Sequence, residues 1–427
     1  MDKQILENIL SDQREELELK KKLKFCKRKE EDNIDLHSPQ AQVVIGVRRS
    51  GKSTLCFNAL IRNGIAFAYV NFDDERLINL TADDLNDVLE VLYKIYGDFK
   101  YLFIDEIQNI SEWYLFVNRL LRRQMHIIIT GSNAKLLSGE LATHLTGRHN
   151  SISLYPFSFA EYCDMRGVDM NSKTTLGIAT IRNAFDEYMR QGGFPELQFI
   201  KNDKRYINEL VNNILKRDIE QRFKVAYTSA FEEMAQHLLN ISPAIISHKS
   251  LNETFNIRSI HTSKNYVNYL KQAYLLIGLH KYSAKSRLRI VDEKLYPVDV
   301  ALMNKREDAL AGENLGWRLE SIVYLELIRR FKDKGKDIYY FRDRSGECDF
   351  IICDGRNPIL AIQVSYDISS PVTKKREIAG LVLTAKKIRC DRLLLLTHHD
   401  YDNIEHNGYN IAIRPVYSWA TEQSEEL

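Results

Sequence analysis

Apolar residues recur at helical spacing at the start of the chain, at Ile5, Ile9, Leu10 and Leu17, and the basic run KKKLKFCKRK follows from Lys20 to Lys29. The pattern predicts a polar helix whose cations form a solvated face or touch phosphates or an acidic partner. From Ala41 to Tyr155, short apolar runs (QVVI, IAFAYVNF, KYLFID, HIIITG, SISLY) alternate with helical stretches such as TADDLNDVLEVLYKIYG, where Thr81 is a candidate N-cap and Gly97 a stop. That alternation is the βα rhythm of a parallel sheet. After Phe157 the pattern turns almost wholly helical through FAEYCDM, ATIRNAFDEYMRQGG, RYINELVNNILKRDIEQRF and SAFEEMAQHLLNIS, which predicts a helical lid or linker bundle. Between Ser247 and Val300 two short helices, HKSLNETF and TSKNYVNYLKQAYLL, precede the basic alternating segment HKYSAKSRLRIVDEKLYPV, the plan of a winged helix. Beyond Gly312 a strong helix (WRLESIVYLELIRRF), strands in IYYF and CDFIICDGRNPILAIQV, a helix in TKKREIAGLVLTA and a strand in CDRLLLLTHH predict a separate α/β domain.

Composition narrows the class. The 427 residues suffice for about three domains at roughly 150 residues each. Lys+Arg 60 against Asp+Glu 58 leaves a net charge of +2, so any nucleic-acid surface has to be a local patch. No apolar run approaches the roughly 18 residues that span a bilayer, and the N-terminus lacks a signal-peptide core, so no membrane contact and a cytoplasmic location are expected. Six cysteines without a CxxC pair encode neither a disulfide framework nor a zinc ribbon.

The chemistry is concentrated at Gly46-Val-Arg-Arg-Ser-Gly51-Lys52-Ser53, which fits GxxxxGK[ST], follows the strand QVVI and opens the helix STLCFNALI. The glycines let backbone N–H groups turn inward around phosphates, with Arg49, Ser50 and Thr54 completing the cradle; Lys52 reaches the β/γ oxygens and Ser53 ligates Mg²⁺. KYLFIDE then places an apolar strand before Asp105, a candidate for the magnesium shell, and Glu106, a candidate base for the attacking water. Both elements together predict ATP or GTP binding with Mg²⁺. The next strand ends in Thr130, Ser132 and Asn133, which either sense the γ-phosphate or cap the following helix. Arg148, in LTGRHN, is a candidate to stabilise charge on the transferred phosphoryl, in cis or from a neighbouring subunit, or else a solvated loop arginine.

In this order GVRRSGKST, LFIDEIQN, IIITGSNAKLLSGELATHLTGR, LYPFSFAEY, GGFPE and LKRDI resemble a family of bacterial and archaeal AAA-type ATPases with a C-terminal domain of unknown function. The resemblance runs from about Phe25 into the last third. It implies a P-loop AAA-type ATPase core, a winged-helix segment and a C-terminal domain similar to restriction-endonuclease folds. It assigns Lys52 and Ser53 to phosphate and magnesium, Asp105 and Glu106 to magnesium and hydrolysis, Ser132 or Thr130 to sensing, and Arg148 to an arginine finger. Arg48 and Arg49 put two extra cations in the loop. The expected segments are an N-terminal helical piece (1–36), the ATPase core (37–160), a helical lid (161–225), a winged helix (226–305) and the nuclease-like α/β domain (306–427).

In the second winged-helix element Val267, Leu270 and Tyr274 form an apolar stripe, while Lys264, Asn268 and Lys271 recur on another face. With Lys285, Arg287 and Arg289 in the wing they are candidate DNA contacts; the other reading is a protein-docking module. A hairpin centred on Arg356 pairs Cys353 with Ile359 and Asp349 with Gln363, and an upstream helix supplies Glu320. A nuclease of this plan needs a helix acid, a strand-end Asp and a Glu-x-Lys to bind Mg²⁺ and activate water. This chain has Gln363-Val364-Ser365, lacking one charge and the lysine, which predicts a degenerate site. The leading expectation is an ATP hydrolase acting as a switch on a partner, DNA or a protein held by the C-terminal domain, with self-association. The alternatives are an ATP-held adaptor with negligible turnover and an ATP-gated nuclease.

Overall fold

A computed structural model describes residues 1–23, 25–132, 145, 147–200, 203–283, 293–303, 314–344 and 346–422. They form two compact units, Met1–Tyr155 with Gln272–Tyr274 and Pro156–Lys271 with Leu275–Leu427. These units cut across the five expected segments.

The first unit is built on β1 (Ala41–Ile45), β2 (Phe67–Asn71), β3 (Tyr101–Asp105), β4 (His126–Gly131) and β5 (His149–Ser153), all parallel in the order β2-β3-β4-β1-β5. Their short apolar runs are what strands covered on both faces require. Because β4 lies between β1 and β3, the carboxyl ends of these three strands converge, where ligands of open parallel sheets bind. Helix α1 (Lys3–Lys20) is part of this unit. Its buried face is Leu6, Ile9, Leu10, Gln13 and Leu17, so Ile9, Leu10 and Leu17 of the expected stripe are buried, while Leu6 takes the place of Ile5, which is exposed. Gln13 explains the docking. At edge strand β2 it accepts from Asn71 N (2.9 Å) and donates to Asn71 O (3.0 Å), satisfying backbone groups that an open edge leaves bare. Helix α2 (Lys52–Arg62) follows the glycine loop. Helix α3 (Leu85–Tyr96) starts after a 3₁₀ turn whose Thr81 and Asp84 cap one another, and it stops at Gly97 with φ 75°. Helix α4 (Trp113–Arg122) completes the unit's helices among the described residues.

The second unit begins with helices Phe159–Arg166, Thr175–Gln191 and Asp203–Asn213, the last running into the π-helical Ile214–Glu220 that carries LKRDI, and then Thr228–Ile241. Its GGFPE motif has a packing reason. Gly193 lies against Phe157, whose N donates to Gly193 O at 2.7 Å, and a Cβ on Gly193 would lie 2.2 Å from Phe157 O. Gly193 N in turn donates to the buried carboxylate of Asp299 (2.8 Å), which also accepts from Ala301 N (2.8 Å). The motif ties three distant segments together.

Helices His248–Thr254 and Ile260–Gln272 precede an antiparallel hairpin, β7 (Leu276–Lys281) and β8 (Glu293–Pro297), with β6 (Ala244–Ile245) alongside. This hairpin is not a free-standing wing. β7 pairs in parallel with β9 (Asp337–Arg342), so one nine-stranded sheet continues through β10 (Glu347–Asp354), β11 (Asn357–Ser365), β12 (Leu393–Thr397), β14 (Tyr409–Pro415) and β13 (Asp402–His406). The β10–β11 register agrees with the expected hairpin up to Ile352↔Leu360, but an irregularity there pairs Cys353 with Pro358 rather than Ile359. Helix Leu315–Phe331 is buried all round from Ser321 to Ile328, helix Pro371–Ile388 is buried along one side, and Val416–Thr421 follows β14.

Candidate nucleotide site and the C-terminal carboxylates

The loop after β1 is shaped by backbone that side chains disfavour. Gly46 (φ 155°) passes so close to Leu154 that a Cβ would sit 2.0 Å from its carbonyl, while Arg49 (φ 68°) and Gly51 (φ 94°) turn the chain into α2. Lys52 is buried and donates to Val47 O of the same loop (3.1 Å). Ser53 Oγ donates to Asp105 Oδ1 (2.9 Å), so the two expected magnesium ligands are neighbours. Asp105 also accepts from Thr130 Oγ1 and from the Tyr69 hydroxyl (3.2 Å). Burial and then the adjacent Glu106 push its carboxyl up, against these hydrogen bonds.

Glu106 stands in left-handed backbone (φ 51°), a conformation that costs a non-glycine residue roughly 1 kcal/mol or more. Its N–H donates to Thr130 Oγ1 (3.1 Å), and its carboxylate accepts from Gln108 and from Ser132 N (3.3 Å). Burial pushes this acid up, but Lys52 at 3.8 Å, Gln108, Arg48 and Ser132 outweigh it and hold Glu106 below the usual range. Arg48 pairs with Asp73 at 2.8 Å. Sequence reasoning missed Arg28. Read as part of a solvated basic run, it is buried and donates to Ser50 O (3.3 Å) and Tyr155 O (2.7 Å), bracing the loop from behind.

The structure thus gathers Gly46, Arg49, Ser50, Gly51, Lys52, Ser53 and Thr54 in one turn beside Asp105, Glu106, Thr130 and Ser132. It does not bring Arg148 to them. Arg148 is exposed at the amino end of the sheet, where its carbonyl accepts from Ala41 N (3.0 Å), while the glycine loop leaves the other end of β1. Asn133 lies outside the described residues.

In the second unit Glu320, on the Leu315–Phe331 helix, and Asp349, on β10, do meet, around a residue the sequence reading overlooked. Buried Lys294 of β8 places Nζ 2.7 Å from Glu320 Oε1, 3.6 Å from Asp349 Oδ1 and 3.9 Å from Glu347 Oε1. The Tyr296 hydroxyl donates to the same Glu320 oxygen (2.5 Å), and Asp349 Oδ2 accepts from Val364 N (2.9 Å). Burial opposes the Lys294 ammonium, but Glu320 and Asp349 outweigh it and hold it above the ordinary lysine range. Burial and then Glu320 hold Asp349 well above the usual carboxylate range. The expectation that the site lacks a lysine is therefore corrected: a strand some 70 positions before Ser365 supplies one. Gln363 turns away to donate to Glu377 Oε2 (3.0 Å), and Ser365 donates to Asp367 O (3.3 Å).

Of the candidate DNA contacts, Lys264 and Asn268 are exposed. Lys271 is not a free cation: its Nζ pairs with Glu293 at 2.5 Å, which takes it out of the expected recognition face. Tyr274 lies beyond the helix end, and Lys285, Arg287 and Arg289 fall outside the described residues.

A family model described as an AAA domain matches residues 38–163, and two domains of unknown function, DUF8612 and DUF4143, match 182–312 and 315–418. An uncharacterized protein of Methanocaldococcus jannaschii is 33% identical over 98% of this chain and 96% of its own length. The chain belongs to this AAA-domain family. A second relative, an uncharacterized protein of Haemophilus influenzae, is 30% identical over 87% of this chain and 92% of its own. Among solved structures, a Walker-type ATPase of Pyrococcus abyssi is similar at 14% identity and a TM-score of 0.40, covering 65% of this chain and 95% of that one. The AAA-domain match spans the glycine loop, Asp105, Glu106, Thr130 and Ser132. No described helix is long and apolar enough to cross a membrane.

Proposed function

We propose that this AAA-domain chain is a Mg²⁺-dependent ATPase, a nucleotide-driven switch acting on a partner. One observation carries the reading: the Ser53–Asp105 hydrogen bond sets the two metal-binding groups side by side, with Glu106 ionised next to them. The donor set fits a magnesium nucleotide, since a hydroxyl and a carboxylate are hard oxygen ligands and the buried Ser50 Oγ has no hydrogen-bond partner among the described residues. When bound, the metal neutralises phosphate charge. The remaining work belongs to side chains. Lys52 leaves the Val47 carbonyl for the phosphates, Thr130 and Tyr69 keep Asp105 oriented, and Glu106, its charged form favoured by Lys52 and Ser132 N, takes the proton of the attacking water.

Arg148, remote from these groups within its own unit, serves a neighbouring copy, so turnover requires self-association. The His248–Gln272 helices with β7 and β8 serve as a winged helix toward DNA through Lys264 and Asn268, and the nuclease-like C-terminal sheet binds a protein partner without cutting nucleic acid. The test of the nucleotide site is binding of a fluorescent ATP analogue: Lys52→Ala abolishes it, whereas Glu106→Gln keeps it. Mixing inactive Arg148→Ala with inactive Glu106→Gln restores part of the turnover if the arginine acts in trans, and specific activity independent of protein concentration refutes that role.

A further inference from the structure

We propose that the C-terminal carboxylates carry their own cation, with the Lys294 ammonium occupying the position a divalent metal would take, and that a metal site opens there only when this charge is removed. The geometry separates such a plug from a lysine that assists a metal. An assisting lysine stands beside the ligands and faces the water to be activated; Lys294 instead lies between them, 2.7 Å from Glu320 and 3.6 Å from Asp349, with Glu347 at 3.9 Å on the rim. Two of the carboxylate oxygens carry a further bond from the protein. Glu320 Oε1 also accepts from Tyr296, and Asp349 Oδ2 from Val364 N. Among the described residues no group of three or more His, Cys, Asp or Glu side chains is placed to hold a metal ion.

The surroundings favour a tethered ion over a free one. Tyr296 is fully buried and packs on Tyr324, with ring centroids 4.3 Å apart, so one wall of the site is aromatic rather than a source of ligands. Lys294 arrives already desolvated on β8, and it crosslinks that strand to the Leu315–Phe331 helix and β10. Taking it away leaves Glu320 and Asp349 without the cation that pairs them, next to the half-exposed Glu347, and a divalent ion entering from that rim would restore the charge balance. Its ligands are hard oxygens, so the ion class is Mg²⁺ or Mn²⁺.

The experiment uses the full, nucleotide-free chain and counts bound Mn²⁺ by electron paramagnetic resonance, with the thermal midpoint recorded with and without Mn²⁺. Wild type and Asp349→Asn bind the same number of ions, any background arising elsewhere. Lys294→Met, which keeps the aliphatic stem, binds one more ion per chain and gains thermal stability from it, and Lys294→Met/Asp349→Asn loses that ion. A wild-type ion that vanishes in Asp349→Asn overturns the proposal, and this arm holds even if Lys294→Met does not fold. Folded Lys294→Met protein without an additional ion also overturns it. Because no nucleotide is present, either failure leaves the ATPase reading untouched.

Discussion

The two units each hold a pair of acids, a buried lysine and a hydroxyl donor, and they use that common inventory in opposite ways. At the glycine loop Lys52 stays 3.8 Å from Glu106 and bonds a backbone carbonyl, while Ser53 and Thr130 hold Asp105. At the C-terminal sheet Lys294 closes directly on Glu320 at 2.7 Å. The loop's cation rests on a neutral carbonyl, as the proposed exchange for a phosphate requires; the sheet's cation is tied to its carboxylate neighbours. Charge composition therefore does not tell a ligand site from a closed ion pair. The backbone does: one cluster sits on left-handed loop positions at Arg49 and Glu106, whereas two strands of one sheet and a helix hold the other.

Paired substitutions break or sharpen this contrast. Lys294→Met leaves buried carboxylates uncompensated and lowers the stability of the second unit by about 3–5 kcal/mol, whereas Lys52→Met costs the first unit less than ~1 kcal/mol and instead removes nucleotide binding. Hydrogen exchange resolved by unit reads both; equal losses would erase the distinction. The next largest effect is a pH step at Asp299, whose burial raises its carboxyl to about 6 despite Gly193 N, Ala301 N, Arg329 and Arg318. An acid with a raised folded pKa binds its proton more tightly in the native state, so stability falls as pH rises from the unfolded value through about 6 and is level above. The step is at most roughly 3 kcal/mol. Asp299→Asn flattens it, and a pH profile identical to wild type removes Asp299 as its source. The smallest effect is at the exposed face: Lys264→Ala with Asn268→Ala changes stability by less than about 0.5 kcal/mol and leaves DNA-free ATP turnover intact. It weakens DNA binding in a salt-sensitive way, and salt-independent or unchanged binding would place the contact elsewhere.

Much of the first unit is legible in the sequence because its signals are local. A five-residue apolar strand, a glycine loop and an acid pair at a strand end each declare themselves within a dozen residues. Arg28 and Gln13 were not legible, since what buries them is a strand edge and a loop carbonyl far away in sequence. The same limit hid Lys294, which lies in an unremarkable EKLYP strand and meets its acids only after β7–β8 joins the C-terminal sheet. The β13–β14 hairpin does have a local signal, Asn407-Gly408, with φ of 54° and 80° in its two-residue turn, weaker than the apolar run of the strand in CDRLLLLTHH.

The central claim, that the loop cluster is the open and working one, is tested most directly by steady-state phosphate release from wild type and Glu106→Gln at saturating Mg²⁺-ATP. The account predicts turnover in wild type and a loss of at least about a hundredfold in the variant, with nucleotide binding retained. Equal rates in the two proteins would contradict it.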